Sequence, residues 1–187
     1  MLAADIIGVI ERSGFMTSRS YDLIAGDGSA LGHLSEEGST GSWLFGSAAS
    51  SSFTLRDAHG GLVATMDRPG SMGRFQFVVT DRHGAEAGLV EQENAFFAPQ
   101  FELRPADGPV MRLTGGSFGG TTWELADAAS EELLGRVSQE FAGIGGLLGG
   151  TQRFAVRLSP VLAGSARLLA LMATICLDYV RDTKKRR

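Results

Sequence analysis

Cysteine is almost missing from this chain. Cys176 stands alone among 187 residues, which excludes an intramolecular disulfide framework and a cysteine-rich zinc site. Proline is scarce, at 5 residues. A helix spanning a bilayer needs about 20 apolar residues, and the longest such run near the C-terminus covers Leu168 to Leu177, between Arg167 and Asp178. Only 20% of residues are charged and 43% are apolar, so wholesale disorder is excluded. Positive charge is short as well. The last four residues hold four of the 17 basic ones, leaving 13 against 21 acidic, a net of −8. An acidic body is a poor partner for phosphate backbones, so no nucleic-acid partner is expected. The N-terminus has no basic segment leading into an apolar one, so no secretory signal is read and a cytoplasmic location is the expectation.

Glycine, in contrast, is abundant: 26 residues, about twice the usual share. The excess asks for many tight turns. It coincides with an internal repeat in which an aromatic residue is followed two places on by an apolar one. The repeat reads Tyr21-Asp22-Leu23, Phe53-Thr54-Leu55, Phe75-Gln76-Phe77, Phe101-Glu102-Leu103, Trp123-Glu124-Leu125 and Phe154-Ala155-Val156. After each of the first five comes an acidic turn: Asp27-Gly28, Asp57 to Gly60, Asp81 to Gly84, Asp107-Gly108 and Asp127 to Ser130. A second apolar stretch then returns, at Leu31 to Leu34, Leu62 to Met66, Ala87 to Val90, Val110 to Leu113 and Leu133 to Val137.

Alternation with period two marks half-buried strands, and Asp/Gly pairs suit hairpin turns. Five hairpins and a less clear sixth pair make ten to twelve antiparallel strands, between about residues 18 and 160. Closing such a sheet into a barrel removes its edges. Beyond Pro160 the chain turns to Leu, Ala and Met, which favour a helix over about 161–181, followed by a basic tail at 182–187. Apolar residues cover every face of that helix, Leu168, Leu169, Met172, Ile175, Cys176 and Tyr179 among them, so it is a buried core helix or a membrane span. The ten-residue run favours the core. One domain, 1–187, accommodates all of this.

Candidate chemistry is sparse. No Gly-x-Ser-x-Gly elbow, Walker loop or His-Glu-x-x-His occurs, and neither a catalytic residue nor a metal site nor a cofactor is assigned. His59 and His83 fill equivalent Asp-x-His-Gly turns, which suggests a left-handed turn position rather than a metal. Glu36-Glu37 and Glu131-Glu132 read as solvated loop charge. Cys176 reads as a small buried hydrophobe. The segment Gly143 to Gly150 lacks the Lys and Ser/Thr of a phosphate loop; it is a flexible connection or, through Phe141, Ile144, Leu147 and Leu148, an apolar loop entering a bilayer interface. Lys184, Lys185, Arg186 and Arg187 are a solvated tail or a contact for anionic lipid headgroups.

The serial order of these segments resembles the phospholipid scramblase and tubby C-terminal-like superfamily, including its LURP-one-related members and in particular a bacterial-type member. The resemblance runs from Phe53-Thr54-Leu55 to Asp67-Arg68-Pro69, through Gly84 to Gln92, Val137 to Gly143 and Phe154-Ala155-Val156, to the Leu168–Tyr179 helix. It implies a twelve-stranded antiparallel barrel around a hydrophobic C-terminal helix. It also implies a non-enzymatic protein that binds membrane phospholipid, through scrambling or phosphoinositide binding, peripheral at the inner membrane face. The acidic segment that precedes the last helix in calcium-activated scramblases is missing here, since Gly149 to Ala166 contains no Asp or Glu. The alternative is a soluble scaffold with a protein partner and no lipid activity, presenting Trp43-Leu44-Phe45 or Ala95-Phe96-Phe97 as the contact.

Overall fold

A computed structural model of the chain describes residues 4–12, 19–37, 50–70, 74–94, 100–115, 121–139 and 153–185; the side chains of 94, 153 and 182–185 are outside the description. Among the described residues twelve strands precede one helix: β1 (Ile6–Arg12), β2 (Ser20–Ala25), β3 (Ala30–Glu37), β4 (Ser51–Asp57), β5 (Leu62–Arg68), β6 (Gln76–Asp81), β7 (Glu86–Asn94), β8 (Gln100–Pro105), β9 (Met111–Gly115), β10 (Thr122–Asp127), β11 (Leu133–Gln139), β12 (Arg153–Leu158) and α1 (Gly164–Lys185). Each strand pairs antiparallel with its neighbours in sequence. β1 and β12 close the ring in register from Ile6 opposite Arg157 to Ile10 opposite Arg153.

The aromatic-x-apolar repeat is the inward face of the barrel. Tyr21, Leu23, Phe53, Leu55, Phe77, Phe101, Leu103, Trp123, Leu125, Phe154 and Val156 are all buried, on alternate positions of their strands. What they pack against is α1. Every residue from Ala166 to Val180 is buried, so the helix is enclosed on all sides and forms the filling of the barrel. Where strand and helix come closest, glycine is required. A Cβ on Gly88, whose φ is +141°, would lie 2.3 Å from the Arg104 carbonyl oxygen and 2.9 Å from Leu169 Cδ2.

An arginine inside the buried helix is accommodated by its ends. Arg167 is 5% exposed, and its guanidinium donates to the carbonyls of Ser159 at 3.1 Å, Leu162 at 3.3 Å and Ala4 at 2.6 Å, with Asp5 Oδ1 at 3.4 Å. Asp107, from the β8–β9 turn, accepts the Ser165 backbone N–H at 3.1 Å and so caps the first turn of α1 from outside the helix.

Four features differ from the expectation. Strands begin at Ile6, not near residue 18: Ile6-Ile7-Gly8-Val9-Ile10 has no local hairpin partner, and its pairs are β2 and the distant β12. β12 therefore has no sixth hairpin; it closes on β1. The helix starts at Gly164 instead of 161, after a turn in which the Leu162 N–H reaches the Ser159 carbonyl, and it continues through Lys185. Glu36 and Glu37 end β3 and do not lie in a loop.

The histidine turns also have a different cause. Gly60 and Gly84 take the positive φ, at +83° and +81°. His59 and His83 precede them and donate backbone N–H groups to Asp57 Oδ1 at 2.9 Å and Asp81 Oδ1 at 2.8 Å. The aspartate, acting as an Asx turn, is the residue the repeat needs.

Candidate functional site

The strand order gives the barrel two unlike ends. At the N-terminal end of α1, five connections of four or five residues each join β2–β3, β4–β5, β6–β7, β8–β9 and β10–β11. They carry Asp27, Asp57, Asp81, Asp107 and Asp127, whose carboxyls are all held below the usual carboxylate range. Backbone N–H donation is the leading cause for four of them; for Asp107 it is the Ser165 hydroxyl, followed by its N–H. At the other end the connections run from five to thirteen residues, and α1 emerges there with its C-terminus.

Positive charge gathers on aromatic rings at this second end. Tyr179, in the penultimate turns of α1, meets Phe53, Phe75 and Phe77 edge-on, with centroids 6.1, 5.8 and 5.8 Å away. The Arg19 guanidinium lies 4.4 Å and that of Arg68 5.2 Å from the Tyr179 centroid; Arg68 also faces Phe75 at 5.5 Å. Arg181 sits 5.0 Å over Trp123 and donates to Gln139 Oε1 at 2.6 Å, and burial lowers its pKa. These are cation–π contacts, which hold each guanidinium in place against a ring.

Beneath the rim, Tyr21 donates to Asp178 Oδ2 at 2.8 Å across the barrel, and Ser51 Oγ is 3.3 Å from the Tyr179 hydroxyl. Burial, and after it the charge of Asp178, pushes the Tyr21 phenol well above its ordinary range. Strand and helix are thereby tied at the point where the helix leaves the core. Cys176 lies below, fully buried with its Sγ 3.5 Å from Met66 Sδ, and burial pushes its thiol up, so it is no nucleophile. Among the described residues no group of three His, Cys, Asp or Glu could hold a metal.

Of the residues singled out in sequence, Leu168, Leu169, Met172, Ile175, Cys176 and Tyr179 all lie in the core, and Tyr179 has in addition the rim contacts. Phe141, Ile144, Leu147, Leu148, Arg186 and Arg187 lie outside the described residues, as do Trp43 to Phe45 and Ala95 to Phe97. Lys184 and Lys185 are in the last turn of α1, their side chains outside the description. The flanks of segment 140–152 are placed, however: Gln139 and Arg153 end β11 and β12 at the arginine-bearing end. The sequence alone assigns no role to Arg19 or Arg181, and to Arg68 only its place in the Asp67-Arg68-Pro69 resemblance. Isolated arginines leave no periodic trace, and only the aromatic partners reveal them.

Comparison with known proteins comes to the same architecture. A protein from Arabidopsis thaliana solved by X-ray crystallography superposes with a TM-score of 0.57 at 14% identity, over 96% of this chain and 94% of the other. No curated protein matches in sequence. The sequence model of the Scramblase family matches residues 50–181, from β4 to the last turns of α1, and the chain belongs to that family.

Proposed function

We propose that this scramblase-family barrel is a non-enzymatic membrane-contact protein that binds anionic phospholipid through the end where α1 emerges, working as a cytoplasmic protein peripheral to the inner membrane face. The observation that carries the reading is the polarity of the barrel. Five carboxylate turns occupy one end, while Arg19, Arg181 and the backbone of Lys184 and Lys185 lie at the other, beside Glu36 and Glu37 at the end of β3. Both flanks of the apolar segment holding Phe141, Ile144, Leu147 and Leu148 join that second end. Basic residues near an anionic surface contribute about 1 kcal/mol each, and apolar side chains add to that by entering the interface. Among the described residues no helix is long and apolar enough to cross a membrane, and α1 is occupied in filling the barrel. The non-enzymatic part of the reading rests on family membership.

Sedimentation with vesicles tests the proposal. The full chain is expected to pellet with anionic vesicles at low salt and to remain in the supernatant with neutral ones. Replacing Lys184, Lys185, Arg186 and Arg187 by Gln should lower the bound fraction, since each lost charge removes its share of attraction. Equal recovery with neutral and anionic vesicles, or none with either, refutes the reading and leaves the protein-contact scaffold as its replacement.

A further inference from the structure

The outer wall of the barrel carries a groove of about 480 Å³ across β11, β12 and β1, within the roughly 300–1,000 Å³ of small-molecule sites. Two rows of outward residues build it. In one row Glu124, Arg136, Arg157 and Ile6 stand opposite one another on β10, β11, β12 and β1. In the next, two residues along, Ser138 and Ala155 form a trough of small side chains, bounded at Gly8 by the Ile24 side chain that covers it. Leu133, 51% exposed, walls the groove beside the carboxylate turns. This surface is on the side of the barrel, away from the arginine rim.

Two like charges placed directly opposite on neighbouring strands are unfavourable. Arg136 is neutralised by Glu124, with Nη2 to Oε1 at 2.8 Å. Arg157 is exposed, and among the described residues no carboxylate pairs with it. An anion beside Arg157 would supply its countercharge through charge-assisted hydrogen bonds. The small-residue trough next to it would take an unbranched apolar body.

We propose that the groove over β11, β12 and β1 binds a small anion with an apolar tail, an aliphatic carboxylate or monoalkyl phosphate, held by Arg157 and Arg136 with its tail along Ser138 and Ala155. The site goes beyond the membrane contact at the barrel end and does not depend on it. Calorimetric titration of the full chain with decanoate, decanol and acetate separates head from tail. Decanoate is expected to bind one to one, and decanol and acetate each at least about tenfold more weakly, since the charge-assisted bonds and the buried tail each supply roughly that factor. Arg157→Gln, a change on an exposed outward position, should weaken decanoate about tenfold. Ser138→Phe should block it while leaving both arginines in place. Absence of binding by both decanoate and monodecyl phosphate, binding matched by decanol or acetate, or binding unchanged in both variants overturns the proposal. Monodecyl phosphate in place of decanoate distinguishes the two headgroups, and binding of either one supports the site. These readouts use no vesicles, so their failure is distinct from a failure of membrane binding.

Discussion

Single residues in this protein act by where they put a hydrogen bond. Tyr21 links the strand wall to Asp178, 157 residues later, in a place water does not reach. Tyr21→Phe removes the donor and leaves the carboxylate oxygen without it, which is expected to cost about 1–3 kcal/mol in denaturant unfolding. The sign of its pH dependence follows from the raised phenol pKa. Folding favours the protonated form, so the contribution is complete below about pH 10 and is lost as pH rises beyond it. Wild type should lose stability on that limb faster than Tyr21→Phe, by circular dichroism. The turn aspartates have the opposite sense. Asp81 is held low by the N–H groups of Ala85 and His83, so its contribution is present above about pH 4 and fades as pH falls below. Asp81→Asn retains an Oδ1 acceptor and Asp81→Ala does not. Melting at pH 7 should therefore be lower for the alanine variant, and equal melting temperatures would contradict the Asx-turn role.

Among elements, the strands of five hairpins were legible in sequence because each hairpin carries two repeating signals, an inward aromatic on its first strand and an Asp-containing turn. β1 was not, because Ile6 to Ile10 is apolar on both faces and owes its place to partners 12 and 149 residues away, as in Ile10 with Asp22 and Ile7 with Val156. The helix was legible from its composition, yet its start was displaced by a cap that comes from Asp107 on another element, which no local pattern encodes. Strand–helix contact is tightest at Gly88. Gly88→Ala adds a clash with backbone to a strained φ and is expected to cost more than about 3 kcal/mol. Gly84→Ala, at φ +81° with open space around it, should cost about 1–2 kcal/mol. Comparable losses in urea unfolding would show that α1 is not packed against β7 as described.

At the scale of the whole molecule, the polarity of the barrel follows from topology and not from any motif. Hairpin turns built on aspartate all fall at one end because every strand pairs with its sequence neighbour. The segments between hairpins and the basic C-terminus then have to fall at the other. Net charge alone hid this, since an acidic total of −4 suggests no attraction to an anionic surface. What matters to a membrane is the end that meets it.

That orientation can be read directly with a polarity-sensitive fluorophore on a single introduced cysteine, because native Cys176 is 0% exposed and will not be labelled. Two full-length variants suffice, Leu147→Cys in the segment between β11 and β12 and His59→Cys in an exposed carboxylate turn. On adding anionic vesicles at low salt, the label at position 147 is predicted to shift to shorter wavelength while the label at position 59 stays unchanged. A shift at position 59 with none at 147 would contradict the account, and so would two silent labels on protein that has sedimented with the vesicles.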